Sequence, residues 1–392
     1  MRILFVHNYY QQRGGEDGVF QQEVSSLREN GHAVETVEFT NERFDGSLIG
    51  NLLGAVKSLY NSQSARRVEQ AIDTFQPDIV HIHNLFYEAS PSVIRAAKRR
   101  GIPVVMTLHN YRLVCNSGML SRAEQVPCER CLTKTIPLAG VRYGCFRDSR
   151  IQSTQLTAIT SLHKLTGLWR SVDRYIVLTE FARKKILESS LNLRPEQVVV
   201  KPNAVPDLGY SGPEQREDFF LYIGRLSFEK GIKVLLEAAK SQTFELVIAG
   251  DGPFREEVEQ VANQYTNVTY VGKLDRQAGI DMMKRAKAIL VPSIWYEGLP
   301  TTILEAFSTG TPIICSDQEN LEEIIGSDET GLFFKTGNST SLVNTILLAI
   351  KMIDKYMHES ARTKYKKKYN DERLLKVIVN LYDKVLTDYC YH

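Results

Sequence analysis

The sequence predicts an α/β protein built from two Rossmann-like, doubly wound domains facing a central cleft. Three observations predict it. Short apolar runs alternate with amphipathic helical stretches along the chain, the pattern of parallel strands covered by helices. The alternation occurs in two series, with a polar stretch punctuated by Gly and Pro, residues 207–218, between them. The length, 392 residues, is one at which two domains are the default.

In the first series, the runs at residues 3–6, 79–82, 104–107, 175–178 and 198–200 are short and apolar, as buried strands are. Helices are predicted at 18–29 and 91–98. Asn30-Gly31 ends the first of these, with Gly in the left-handed cap position. The second series has strands at 219–223, 244–248, 268–271, 288–291 and 312–315, and helices at 233–239 and 255–262. The boundary is expected near residue 205, giving domains 1–205 and 206–370. The Lys- and Tyr-rich tail, 361–388, reads as helix, and its final part, 371–392, is expected to pack back on the first domain. Its basic run, 364–368, reads as a solvated face. Ligands of doubly wound sheets lie at the carboxyl ends of strands, near helix N-termini.

Composition removes several classes. Hydrophobic residues make up 43% and charged residues 24%, an ordinary globular balance. The 48 basic and 46 acidic residues leave a net charge of +2, too even to point to nucleic acid. The apolar run at the N-terminus is a first strand and too short for a secretion signal. No stretch approaches the roughly 20 apolar residues that cross a bilayer. A cytoplasmic protein is therefore expected.

The richest segment follows the strand at 288–291 and reads Glu297-Gly298-Leu299-Pro300-Thr301-Thr302-Ile303-Leu304-Glu305. Pro300 suits the first turn of a helix, where its missing N–H costs nothing. The N–H groups of Leu299, Thr301 and Thr302 would then present a phosphate site at the positive end of the helix. Two carboxylates at this spacing could hold the hydroxyls of two sugars. The spacing alone equally admits a surface acid and a helix-face acid.

Three further segments of the second domain stand in order before it. They are Ile223-Gly224-Arg225-Leu226-Ser227-Phe228-Glu229-Lys230-Gly231, Ile248-Ala249-Gly250-Asp251-Gly252-Pro253 and Val271-Gly272-Lys273-Leu274. Together with the Glu-x7-Glu segment they resemble the signature of family-4 retaining glycosyltransferases of the GT-B fold, and the resemblance extends over nearly the whole chain. It implies a hexosyltransferase-type enzyme moving a sugar, with retention, from a UDP- or GDP-sugar to a saccharide or lipid-linked acceptor. The implied setting is bacterial-type cell-surface polysaccharide or glycolipid synthesis, on the cytosolic face of the membrane. It implies Arg225 and Lys230 at the diphosphate, Glu305 at the ribose and Glu297 at the transferred sugar. The backbone of Lys273 and Leu274 would meet the base. Gly250 would form a turn beside the cleft, and Gly298, Leu299, Pro300 and Thr301 would line the donor site.

In the first domain the resemblance places the loop His7–Glu16, with Gly14 and Gly15, near the diphosphate. His109, ending Thr107-Leu108-His109-Asn110, matches the family's active-site histidine. His109, Glu297, Arg225 and Lys230 are therefore the candidate catalytic group, while His81 and His83 read as packing or cleft-lining. Retention in this fold is explained by same-face attack, with the leaving phosphate taking the acceptor's proton. No Asp-x-Asp pair occurs in the chain, so neither a divalent metal nor another catalytic cofactor is expected. A dehydrogenase or epimerase would need Gly-x-Gly-x-x-Gly after the first strand, which is absent; Gly250-Asp251-Gly252 lacks the third glycine. An inactive scaffold of this fold would not be expected to keep Arg225, Lys230, Glu297, Glu305 and His109 together.

Residues 111–150 carry Cys115, Cys128, Cys131 and Cys145, spaced C-x12-C-x2-C-x13-C. The central knuckle and flanking thiols read as a structural, tetrahedral zinc site, against reduced thiols or disulfides. The family pattern is silent on this loop, which is expected to form a flap shaping the acceptor pocket. The stretches 150–170 and 52–67 are amphipathic and read either as anionic-membrane contacts or as faces packed on the sheet. In the first of these, Leu162, Leu165 and Leu168 look exposed.

Overall fold

The structure, a computed structural model, describes residues 1–9, 15–40, 60–86, 88–122, 127–326 and 329–390. It divides into two compact units. The first comprises Met1–Ala123, Cys128–Pro202 and Glu372–His392, and the second is essentially Asn203–Asp371.

The first unit is a six-stranded, all-parallel sheet in the order β2-β1-β3-β4-β5-β6. Its strands are β1 (Arg2–Tyr9), β2 (Ala33–Thr40), β3 (Ile79–Ile82), β4 (Val104–Thr107), β5 (Arg174–Val177) and β6 (Val198–Val200). Strand β2 lies at the edge and buries only Val37 and Phe39, which is why no continuous apolar run announces it. Ile3, Phe5, Phe20, Leu27, Ile79, Val105 and Ile176 form a core closed by Ile378, Leu381, Tyr382 and Val385 of the helix Asp371–Cys390.

The second unit repeats the architecture in the order β12-β11-β10-β7-β8-β9. Its strands are β7 (Phe219–Ile223), β8 (Glu245–Ala249), β9 (Val268–Tyr270), β10 (Ala288–Val291), β11 (Ile313–Ser316) and β12 (Gly331–Phe334). The chain order reverses between β1 and β3 in the first sheet and between β7 and β10 in the second. Loops leaving the two strands at such a reversal diverge to opposite faces and open a crevice.

Three expectations are corrected. The tail is not one helix: Lys355–Lys364 passes into a π turn at Tyr365–Tyr369, Asn370 is extended, and Asp371–Cys390 starts anew. Tertiary contacts impose the break. Tyr365 is fully buried and donates to the Val205 carbonyl at 3.2 Å, and Tyr369 stacks on Phe307. Within the basic run, Lys364 is drawn inward to the Ile325 carbonyl, while residues 366–368 stay exposed. The stretch 207–218 is also no loose linker. The Arg216 guanidinium donates to the carbonyls of Ser211, Met283, Ala286 and Thr309, and Arg362 grips Asp207 at 2.8 Å. Leu168 is buried, at 6% exposure, although Leu162 and Leu165 are exposed at 43% and 66%. Residues 52–59 lie outside the described residues. No described helix is long and apolar enough to cross a membrane.

Candidate active site

In the second unit β7 and β10 are hydrogen-bonded neighbours, so the loops that follow them start side by side. The Ile294 N–H donates to the Glu229 carbonyl at 3.0 Å, tying loop to loop. Gly231, at φ +74°, lies so close that a Cβ would stand 1.7 Å from the Pro292 carbonyl oxygen. Only glycine fits there.

This contact brings Lys230 to Glu297. The Lys230 ammonium lies 2.6 Å from Oε1 and 2.9 Å from Oε2 of Glu297, and 5.4 Å over the Trp295 ring. Ser293 Oγ and Trp295 Nε1 also donate to Oε1, at 2.6 and 3.2 Å. Asn320 and Gln318 hold the backbone carbonyls of Glu297 and Ser293. Glu297 is buried, and its Oε1 is saturated. Oε2 accepts Lys230 alone among the contacts described, which leaves it room for a hydroxyl.

Arg225 does not join this cluster. It stands exposed after β7, with its carbonyl held by Tyr222 Oη at 2.5 Å. The ends of β7, β8 and β9 are close-packed through glycines. Gly250 N–H donates to the Gly272 carbonyl at 2.8 Å, and a Cβ on Gly250 would stand 1.8 Å from the Gly224 carbonyl oxygen. Lys273 is exposed and Leu274 half-buried on the turn after β9. Pro300 is the N-cap of the helix Thr301–Thr309, extended at ψ 122°, and not a member of its first turn. Gly298 is half-buried and Leu299 buried just before that cap, and Thr301 opens the helix. The helix start carries unpaired N–H groups either way. Glu305 is half-buried one and a half turns inside. Burial raises its carboxyl pKa, and Arg276 pulls the other way.

In the first unit four histidines gather at the carboxyl ends of β1, β3 and β4. Their hub is Glu23, on the helix Gly15–Glu29. Its Oε1 lies 3.2 Å from His83 Nε2 and 3.3 Å from His81 Nδ1, and its Oε2 receives the Lys201 ammonium at 2.6 Å. Burial alone would raise the Glu23 carboxyl, but Lys201 and the two histidines together hold it well below the usual range. His83 Nδ1 in turn lies 3.2 Å from His109 Nε2. Burial, then the neighbouring His81, pushes His83 down to about 3. Burial, then His83, holds His109 well below its ordinary value, so both rings are neutral at pH 7. The hydrogen-bond chain assigns their protons: His83 Nε2–H donates to Glu23, His109 Nε2–H donates to His83 Nδ1, and His109 Nδ1 keeps its lone pair. His81 sits between Thr107 Oγ1 at 2.8 Å and Tyr382 Oη at 2.6 Å, and His7 Nε2 meets Asp17 at 2.8 Å. Gly15 opens the helix, whereas Gly14 lies outside the described residues.

Glu23, Lys201, Tyr382 and Asp17 carry no local signal in the sequence, because partners 178 residues apart, as Glu23 and Lys201 are, leave none. Ser293 and Trp295 stand four and two residues before Glu297 and were within reach of the motif. Among the described residues, Glu23, His81 and His83 form the tightest set of potential metal ligands, with atoms within 4.8 Å. They do not fit a cation, because Lys201, His109, Thr107 and Tyr382 already occupy their ligand atoms. The four cysteines are all unpaired thiols.

Two family matches divide the chain. Residues 14–204 match the glycosyl transferase 4-like domain and residues 210–368 match glycosyl transferases group 1. An uncharacterised glycosyltransferase of Methanocaldococcus jannaschii is 28% identical over 180 residues, 44% of this chain and 46% of that protein. O-antigen chain mannosyltransferase C of Escherichia coli is 26% identical over 176 residues, 43% and 47% of the two chains. The matches thus span about half the length of these curated relatives. The crystal structure of Anabaena HepE in complex with UDP is similar with a TM-score of 0.69, covering 98% of this chain and 100% of that one at 14% identity, a likeness of fold. With one family match falling on each of two parallel-sheet units, the chain belongs to the group 1, family-4-like glycosyltransferases of the GT-B fold.

Proposed function

We propose that this protein transfers a sugar, with retention, from a nucleoside-diphosphate sugar to a saccharide or lipid-linked acceptor. The observation that carries the reading is the Lys230–Glu297 pair at the strand-order reversal of the second unit, beside the N-terminus of the helix Thr301–Thr309. That helix start favours a phosphate. Arg225, exposed, and Lys230, partly exposed, add positive charge. An incoming diphosphate would draw Lys230 toward itself and free Glu297 Oε2 for a sugar hydroxyl. Glu305 would take the ribose hydroxyls, and the Lys273–Leu274 backbone would meet the base.

In the transfer step the glycosidic C–O bond to the diphosphate breaks. The acceptor oxygen bonds to the same face of the sugar carbon, and the acceptor's proton passes to the departing phosphate oxygen. Arg225 and Lys230 stabilise the charge that builds on that phosphate, the part a divalent cation would otherwise take. In the first unit His109 contributes a neutral ring whose Nδ1 is an acceptor.

UDP in the HepE complex supports a nucleotide donor, and the E. coli relative's name supports a cell-surface polysaccharide product. We assign the work to the cytoplasm, with Leu162 and Leu165 as a point of membrane contact. Thermal shift against a panel of UDP- and GDP-sugars tests the donor. A ligand at a hundred times its Kd should add about 2.7 kcal/mol. No stabilisation by any sugar nucleotide, or full transfer by Glu297→Ala, would refute the proposal.

A further inference from the structure

We propose that Trp295 is a positioning residue of the donor site: its indole N–H fixes the Glu297 carboxylate in the orientation that receives the transferred sugar, and its ring seats the Lys230 ammonium until a diphosphate draws it away. The inference rests on the donor reading above and gives a task to a residue outside the Glu-x7-Glu segment.

Three side chains converge on one oxygen of Glu297. Lys230 Nζ, Ser293 Oγ and Trp295 Nε1 lie 2.6, 2.6 and 3.2 Å from Oε1, and Lys230 also reaches Oε2, at 2.9 Å. Ser293 and Trp295 stand four and two residues before Glu297, so these donors belong to the same loop as their acceptor. Lys230 comes from the loop after β7. The backbone of the loop is held separately. Asn320 Nδ2 donates to the Glu297 carbonyl at 2.7 Å, and Gln318 Nε2 donates to the Ser293 carbonyl.

A ligand acts differently on the cation and on the two neutral donors. The Lys230 side chain is partly exposed, and an incoming phosphate can take its ammonium. Ser293 is buried and Trp295 half-buried, and neither carries a charge that a phosphate attracts. Once Lys230 turns to the phosphate, these two are the side-chain donors left on Glu297 among the described residues. The terminal torsion of a glutamate is broad and roughly two-fold, so one hydrogen bond lets its two oxygens exchange places. A second donor, carried on a rigid ring, pins Oε1 and leaves Oε2 as the oxygen presented to a sugar hydroxyl. The indole N–H donates and cannot accept, so it does not compete with the carboxylate for that hydroxyl.

The indole makes a second contact. Lys230 Nζ stands 5.4 Å from the centroid of the Trp295 ring, within the range of cation–π attraction. The ring therefore keeps the ammonium beside the carboxylate before a donor arrives, and it registers the departure of that charge when one binds. A phenylalanine at this position keeps an aromatic seat for Lys230 but releases Oε1. The substitution thus separates two parts of donor binding. The nucleotide depends on Lys230 and the helix start, and the sugar depends on the orientation of Glu297.

The test is Trp295→Phe in the full chain. Calorimetry compares the sugar nucleotide that gives the largest shift in the thermal panel with the bare UDP or GDP it contains. The bare nucleotide should bind within about twofold of the parent, because its phosphates meet Lys230 and the helix start. The sugar nucleotide should bind about 10-fold more weakly or worse, the loss of one hydrogen bond to a charged group. Fluorescence reads the second contact. Of the chain's two tryptophans, Trp169 is buried in the first unit and supplies a constant background. In the parent the bare nucleotide should change the emission as the ammonium leaves the indole, and in Trp295→Phe that change should vanish. If Trp295→Phe fails to fold, the parent's emission decides. Equal losses for the two ligands, parent-like affinity for both, or a parent emission that saturating nucleotide leaves unmoved would overturn the role of Trp295 alone. Binding of no sugar nucleotide by the parent would overturn the donor reading and this inference with it.

Discussion

Replacing Lys201 with Met should destabilise the first unit by an amount that depends on pH. The Lys201 ammonium lies 2.6 Å from Glu23 Oε2, with side chains 7% and 9% exposed. Met nearly matches the length of the Lys stem, so the packing loss is small. What remains is a buried carboxylate without its cation, which costs about 3–5 kcal/mol. That is a large share of the roughly 5–15 kcal/mol that holds a domain together. The sign follows from Glu23. Burial would raise its carboxyl, but Lys201 and the histidines depress it below its unfolded value of 4.5. A depressed carboxyl contributes stability that is fully present above the unfolded pKa and is lost as pH falls through the folded one. In Lys201→Met the depression is removed, so the gap from the parent is widest at neutral pH and narrows as pH falls below 4.5. The chain has two tryptophans, Trp169 in the first unit and Trp295 in the second. Urea titrations followed by Trp169 fluorescence in a Trp295→Phe background therefore report on the first unit. A gap under about 1 kcal/mol at neutral pH, or one that does not change with pH, would refute the reasoning.

Other consequences are equally direct. Gly231→Ala places a Cβ 1.7 Å from the Pro292 carbonyl oxygen, so it should destabilise the second unit by more than about 3 kcal/mol in urea and abolish UDP binding. Gly272→Ala, also at positive φ but with open space around it, should cost only about 1 kcal/mol and serves as the control. Glu297→Gln keeps the side chain's shape but removes the charge facing Lys230. Transfer should fall by about 100-fold or more with nucleotide affinity little changed, measured by steady-state kinetics and calorimetry. His83, held at about 3 when folded, takes up its proton only on unfolding between pH 6.5 and 3. Stability should fall there by up to roughly 1.4 kcal/mol per pH unit as pH drops, and His83→Asn should flatten that limb.

Much of the fold was legible because the central strands are buried on both faces. Ala288–Val291 is a continuous apolar run, and Ile79–Ile82 is apolar but for His81, neither with an exposed residue. Of the four edge strands, β6 and β9 were predicted, and β2 and β12 escaped. In β2 the buried residues alternate with polar ones, so no apolar run marks it. The tail's break at Asn370 was hidden because helix propensity in that segment is overridden by burial of Tyr365 and Tyr369. The order of motifs pointed to Glu297 and Glu305, and the structure sets Glu297 against Lys230. That Lys230, and not Arg225, grips Glu297 could not be read from that order. That choice depends on β7 lying beside β10, and on Gly231 letting the two loops touch.

Each unit places a lysine–glutamate pair near its strand-order reversal, and exposure separates what the two pairs can do. The Lys201 side chain is 7% exposed and its pair is closed to ligands. Its effect is on the hydrogen-bond chain through His83, which orients His109, neutral chiefly through burial, with Nδ1 as an acceptor. The Lys230 side chain is 29% exposed, while Glu297 beneath it is only 6% exposed. An ammonium with one side in water can exchange a carboxylate oxygen for a phosphate oxygen without crossing a desolvated state, which Lys201 cannot do. Glu297, kept in place by Ser293, Trp295 and the backbone grip of Asn320, then stays ordered while its second oxygen becomes free. The pair is therefore stable without ligand and open to one, so on the proposed function Lys230 would be the charge best placed to respond to a diphosphate.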